Sequence, residues 1–127
     1  MNRYLLDSQI LIWWINEAEK LPQSICQLIE NKQNTIFISV ATIWEIGIKQ
    51  SLGKLYVSDH LLEDIAKLGF TILNISAQHA DYAAKLPLHH RDPFDRMLIA
   101  QASIEQIPIL SADQLFTLYK PFPFIQV

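Results

Sequence analysis

Residues 35–53 read TIFISVATIWEIGIKQSLG. Thr35-Ile36-Phe37-Ile38 is a continuous apolar, β-branched run that ends at Ser39. Without polar alternation, it predicts a strand buried on both faces. From Ala41 onward the spacing changes. Ala41, Trp44, Glu45, Ile48 and Leu52 recur at helical intervals, and Gly53 is a natural stop. A buried strand running straight into a helix is the repeating unit of a parallel sheet.

Working outward, the same alternation continues. Tyr4-Leu5-Leu6 is a short apolar run closed by Asp7, and Ile10–Ile15 is long enough for a helix. Pro22 opens a helix that reaches Asn31. Downstream, helices are predicted over Ser58–Leu68, Ser76–Leu86 and Pro93–Gln106, with strands over Phe70–Ile75 and Ile107–Leu110. Ser111–Tyr119 reads as a short helical turn. Phe122–Val127 reads as an edge strand, because Pro121 and Pro123 exclude a central position before residue 124. Apolar strands alternating with helices predict an α/β fold, a mostly parallel sheet covered on both faces. No Ser/Gly/Pro-rich linker or repeat interrupts it, so residues 1–127 are expected to be a single domain.

Composition narrows the functional classes. Of 127 residues, 50% are hydrophobic and 18% charged, which excludes disorder and collagen-like structure. The single cysteine, Cys26, excludes an intrachain disulfide and a cysteine-built zinc site. No apolar run approaches the roughly 18 residues of a membrane span. The start MNRYLLD lacks the apolar core of a signal peptide. The expected location is therefore cytoplasmic, with no membrane partner. Ten Lys+Arg against thirteen Asp+Glu give a net charge of −3, so a bulk basic footprint for nucleic acid is absent.

In a parallel α/β sheet, ligands bind beyond the carboxyl ends of the strands. Acids stand in those places. Asp7 follows the first strand and also suits a helix N-cap. Glu45 lies among apolar neighbours on its helix and needs a counter-charge, which Lys49 at i+4 or a bound cation would supply. His90-Arg91-Asp92-Pro93-Phe94-Asp95-Arg96 is the densest polar cluster. Asp92 before Pro93 is an N-cap, and Asp95 at the third helical position suits the helix dipole. Asp113 follows the late strand through Ser111-Ala112 and also reads as a turn residue. His60, His79 and Cys26 have no partner at metal-ligand spacing and are read as structural. Trp13, Trp14 and Trp44 are read as core.

Together these residues resemble the PIN-domain family, and within it the VapC-like ribonuclease toxins of toxin–antitoxin modules. The carriers are Tyr4-Leu5-Leu6-Asp7, Ile12-Trp13-Trp14, Ser39–Ile46, Lys49–Leu55, Leu86–Arg96 and Ser111-Ala112-Asp113, nearly end to end. The resemblance implies a three-layer α/β/α sandwich with a central, mostly parallel four- to five-stranded sheet, and a metal-dependent endoribonuclease. By position it makes Asp7, Glu45, Asp95 and Asp113 the acidic site, with Asp92 the helix cap of the same motif. Where the family often has Asp-Thr-His or Asp-Thr-Asn, this chain has Asp7-Ser8-Gln9, which keeps the hydroxyl and changes the third residue.

Phosphodiester hydrolysis needs an activated water, neutralised phosphate charge and a stabilised leaving oxygen, which a carboxylate-held divalent cation supplies. Hard oxygen donors favour Mg²⁺ or Mn²⁺. Two carboxylates about 4 Å apart repel by roughly 4 kcal/mol at an effective dielectric near 20, so converging acids make a cation site. Asp7 and Asp95 are expected to ligate directly, with Glu45 and Asp113 as ligands or water-orienting residues. Ser8 and Ser111 support them. Lys49, Lys54, Arg91 and Arg96 are the cations available for RNA phosphates.

Rival readings are a phosphoacceptor receiver domain, a catalytically inactive PIN scaffold, and a metal-dependent phosphatase or DNA nuclease. The receiver reading lacks its Lys after the late strand. The resemblance also implies a cognate antitoxin and a homodimer. The surplus of large apolar residues at Ile12, Trp13, Trp14 and Leu21, with the Leu52–Tyr56 region, is expected to form a groove for an amphipathic antitoxin helix. A cationic antitoxin side chain could also reach the acids.

Overall fold

Leu5 and Leu6 are adjacent in the chain and both fully buried, but they belong to different cores. Successive side chains of a strand point to opposite faces, so a strand buried twice over must be central in a covered sheet. In the computed structural model, which describes residues 2–89, 91–119 and 124–127, that strand is β1 (Arg3–Leu6). With β2 (Thr35–Ser39), β3 (Thr71–Leu73), β4 (Ile109–Ser111) and β5 (Phe124–Gln126) it forms a sheet in the order β3-β2-β1-β4-β5. All four pairings are parallel. The expected sandwich is present, and its sheet is wholly parallel.

Six α-helices cover the sheet among the described residues: α1 (Ser8–Asn16), α2 (Gln23–Glu30), α3 (Val40–Ser51), α4 (Leu61–Lys67), α5 (Ala77–Lys85) and α6 (Pro93–Glu105). Leu6, Ile36, Ile38 and Leu110 meet Ile10, Leu11, Ile25, Ile29, Ile46 and Ile65, so α1 to α4 supply one face. Leu5 and Ile109 meet Leu98, Ile99 and Ala102 of α6 on the other, with Phe116 from the 3₁₀ turn Gln114–Tyr119. Strand order reverses at β1, because the chain runs first to β2 and β3 and then returns to β4 on the opposite side. Such a reversal opens a crevice at the carboxyl ends of the two strands that flank it.

Several boundaries differ from the sequence expectation by a few residues. The helix expected over Ser58–Leu68 starts at Leu61, because the Ser58 backbone and Val57 N–H are tied to the Gln50 side chain. The strand expected over Phe70–Ile75 is only Thr71–Leu73. Of the last edge strand, Phe122 and Pro123 lie outside the described residues, and Phe124–Gln126 is the strand.

The larger correction concerns α3. Its buried residues are Ala41, Thr42, Glu45 and Ile46. Trp44 and Leu52 are 64% and 63% exposed. The apolar stripe read from the sequence was rotated by about one position, since the rows 41/45 and 42/46 face the core and 44/48/52 run along its edge. Trp44 is therefore not a core residue. Truncating a buried Leu or Ile costs about 2–5 kcal/mol, and exposed substitutions are usually within about 0.5 kcal/mol. Ile38→Ala should thus lower the urea midpoint strongly while Trp44→Ala barely moves it. Equal losses would contradict this placement.

Candidate active site

The residues that follow β1 and β4 are fixed by ordinary backbone needs. Asp7 caps α1: its Oδ1 accepts from the Ile10 N–H at 2.9 Å. Its N–H donates to the Leu110 carbonyl at 3.2 Å, which ties the end of β1 to β4. Ser111, the last residue of β4, donates its hydroxyl to Asp7 Oδ2. The same Ser111 Oγ accepts from the Asp113 N–H at 3.0 Å. One buried hydroxyl thus sets both Asp7 and the turn that carries Asp113.

Glu45 arrives from α3. Its Oε1 accepts from Ser8 Oγ at 2.5 Å and its Oε2 from Lys49 Nζ at 2.8 Å. Thr42, one turn earlier on α3, lies 3.4 Å from Ser8 Oγ and completes this buried group. Thr42 escaped the sequence reading, although its position three residues before Glu45 puts it on the same helix face. Asp92 caps α6 as expected, with Oδ1 accepting from Phe94 N–H at 2.8 Å and Asp95 N–H at 3.3 Å. Asp95 follows in the first turn of that helix.

These elements converge on one cavity of about 380 Å³, lined by Asp7, Ser8, Gln9, Ile12, Glu45, Lys49, Asp92, Asp95, Ala112 and Asp113. Among the described lining residues, five are carboxylates and Lys49 is the one cation. A larger cavity, about 650 Å³ between Gln78 and Ile104, gathers no such set. The structure brings Asp7, Glu45, Asp95 and Asp113, the four acids expected from the sequence, to one cavity, and Asp92, expected as the helix cap, lines it as well. Gln9 lines the same wall, so the departure from the family pattern falls inside the cavity.

The expected phosphate cations divide. Lys49 is at the cavity. Lys54 and Arg91 are exposed away from its lining. Arg96 is a correction: it is buried, and its guanidinium donates to the carbonyls of Ala83, Leu86 and Pro87 at 2.8–2.9 Å. It closes the carboxyl end of α5, where helix carbonyls lack intrahelical partners, and is not placed to meet a phosphate. His79 is structural as expected, buried in a capping box with Ser76 and 2.9 Å from Glu105. Leu21 is buried in the first core and does not belong to an exposed surface.

Crowding shows in the protonation of the acids. Burial pushes Asp7 up to about 6, outweighing hydrogen bonds from Ser111 and Ile10 N–H that favour its charged form. Asp95 is pushed up to about 8, first by burial and then by Asp92, Asp7, Glu45 and Asp113. The hydrogen bond to Glu45 raises Lys49 above its ordinary 10.5. Among the described residues, no three His, Cys, Asp or Glu side chains stand ready-arranged around one point; the acids line the wall instead. The donor set nonetheless fits a hard divalent cation. It is all oxygen, with five carboxylates to one lysine among the described lining residues, and two of its members resist carrying charge.

An acid whose folded pKa exceeds its unfolded one binds extra proton on folding, so stability is greatest below the unfolded value and falls as pH rises through the folded one. From an ordinary 3.8 to about 6 and 8, Asp7 and Asp95 set that window. The metal-free melting temperature should fall between about pH 4 and pH 8. Asp95→Asn should flatten the upper half of the fall. A melting temperature that climbs across this range in EDTA would refute the assignment.

The PIN-domain family model matches residues 4–120. No curated protein matches the chain in sequence. Solved structures with a similar fold include VapBC2 from Rickettsia felis bound to a promoter DNA fragment, at 18% identity, with 98% of each chain covered and a TM-score of 0.71. DNA-bound VapBC from Salmonella typhimurium matches at 17% identity and a TM-score of 0.72, with 99% of this chain and 98% of that one covered. VapBC-5 from Mycobacterium tuberculosis, of the VapBC family of toxin–antitoxin systems, matches at 18% identity and 0.60, with both chains fully covered. PIN-domain proteins are nucleases and generally use divalent metal ions. With the family model spanning most of its length and the acids gathered at the β1–β4 crevice, the chain belongs to the PIN-domain family.

Proposed function

We propose that the chain is a Mg²⁺- or Mn²⁺-dependent endoribonuclease, a single-domain cytoplasmic toxin held in check by a cognate antitoxin. The observation that carries this reading is the carboxylate cavity at the β1–β4 crevice, with five acids against one lysine among its described lining residues. Such a cavity repels an RNA phosphate unless a cation intervenes. The fold shared with VapBC chains supports the toxin assignment.

Asp7 and Asp95, the two acids pushed upward in pKa, hold the cation. Glu45 and Asp113 complete its shell or orient the attacking water. A bound divalent cation neutralises phosphate charge, promotes loss of a proton from water and stabilises the leaving oxygen. Ser111 fixes the Asp7 carboxylate, and Ser8 and Lys49 clamp the two Glu45 oxygens, so the acids are oriented before substrate arrives. The Lys49 ammonium also meets a phosphate oxygen at the rim. Lys54 and Arg91 contact phosphates farther along the strand.

The antitoxin surface is supported by a shallow cavity of about 290 Å³ between α1 and α4, lined by Trp14, Ile15, Asp64, Lys67 and Leu68. Leu52, Tyr56 and Leu62 are exposed, and Asn16 Nδ2 donates to the Tyr56 carbonyl at 3.2 Å, joining the end of α1 to that segment. An amphipathic helix suits this surface. A homodimer is part of the same reading.

Asp7→Asn and Asp95→Asn should each abolish cleavage of RNA in Mg²⁺ while leaving a folded protein, since each removes a repelling charge. Millimolar Mn²⁺ should raise the wild-type melting temperature; saturation to 100 times the dissociation constant adds about 2.7 kcal/mol. Asp95→Asn should blunt that rise. Undiminished cleavage by Asp7→Asn, or cleavage of DNA but not RNA, would overturn the assignment. Co-expression with the adjacent small open reading frame should yield an inactive complex. Light scattering should find a dimer for the free chain.

A further inference from the structure

Trp44 and Phe94 do not line the acidic cavity, but each is the chain neighbour of an acid that does. Trp44 immediately precedes Glu45 on α3, and Phe94 immediately precedes Asp95 on α6. Their rings meet edge to face, with centroids 5.3 Å apart and planes at 79°. The contact supports the indole on one side and leaves Trp44 64% exposed. Two helices thus hold a large flat ring in water beside the carboxylates.

We propose that Trp44, braced by Phe94, is a stacking platform for one nucleobase of single-stranded RNA at the rim of the cavity; this rests on the ribonuclease reading above. The exposed indole presents a flat apolar face that a base can cover, and stacking tolerates any base because each has a π-face. Charge favours the same occupant. Lys49, on the same helix five residues after Trp44 and paired with Glu45, stands at the cavity as a cation for a flanking phosphate. A base stacked here leaves its adjacent phosphate beside Glu45 and Asp95. Trp44 then fixes which nucleotide is presented for cleavage and takes no part in the bond-breaking step.

The experiment is single-turnover cleavage in Mg²⁺ of a short oligoribonucleotide that the wild type cuts, with the protein concentration for half-maximal rate as readout. One stacked base is worth about tenfold or more in affinity. Trp44→Ala should raise the half-maximal concentration at least tenfold, and Trp44→Tyr should stay within about threefold. An abasic scan of the oligonucleotide keeps the test independent of any variant. One position should cost the wild type about tenfold and cost Trp44→Ala nothing further. The corresponding DNA oligonucleotide should not be cut.

If the wild type cuts no RNA, the ribonuclease reading falls and the platform with it. If it cuts RNA but Trp44→Ala has an unchanged half-maximal concentration, or no abasic position costs the wild type anything, only the platform is overturned. A Trp44→Ala protein that loses its dimer by light scattering, and is equally impaired on intact and every abasic substrate, marks the ring pair as a contact between copies and also overturns it.

Discussion

Mutual repulsion among carboxylates at the carboxyl ends of β1 and β4 is the constraint that the surrounding structure answers. Burial first, and then Asp113 and Glu45, disfavour the charge on Asp7; burial first, and then Asp92, Asp7, Glu45 and Asp113, disfavour it on Asp95. The chain offsets this with the means a small fold has. Asp7 and Asp92 each accept from the free N–H groups of a helix start, so the acids that crowd the cavity also begin α1 and α6. The positive ends of those two helix dipoles lie against the negative wall. Ser8 and Lys49 donate to Glu45, and Ser111 donates to Asp7. Among the described lining residues these do not bring the cavity to neutrality, and the deficit is what a divalent cation would fill.

Strand order puts the acids there. Among the described strands, β1 is the one flanked on both sides by strands that follow it in the chain, β2 on one side and β4 on the other. Asp7 leaves β1 at its carboxyl end, and Ser111 and Asp113 leave β4 beside it. Glu45 comes in on the helix that follows β2, while Asp95 comes from α6, which covers the opposite face of the sheet. Residues from both layers meet only where the sheet stops. No single helix or loop could assemble them, which is why they are spread over more than a hundred positions of sequence.

Much of this was legible in the chain because it depends on local chemistry. Apolar runs named the strands, and Asp7, Asp92 and Asp95 sat where helix starts call for acids. Glu45 stood out as a carboxylate on an apolar face, with Lys49 at the spacing that pairs it. What failed depended on tertiary geometry. The α3 stripe was misplaced by about one residue, because an edge row and a core row of a helix carry the same period, and only packing chooses between them. That error buried Trp44 on paper and left out Thr42. Arg96 looked like a surface cation beside two acids. The carbonyls it binds at the end of α5 lie nine to thirteen residues earlier in the chain, and no spacing rule points to them.

The helix α1 joins the two surfaces that matter. Its first residues, Ser8, Gln9 and Ile12, line the acidic cavity, while Trp14 and Ile15 line the groove beside α4. At about 1.5 Å of rise per residue, Ile12 and Ile15 are about one turn apart. The helix has nine residues, so it must spend one end on an anionic cavity and the other on an apolar groove. That division accounts for its composition. Small polar residues stand where the carboxylates need donors, and Trp13, Trp14 and Ile15 stand where neither core can bury them fully. The groove at Trp14 and Ile15 therefore begins about one turn from Ile12 at the cavity and about 10–12 Å of helix rise from Asp7, so one short helix carries both surfaces.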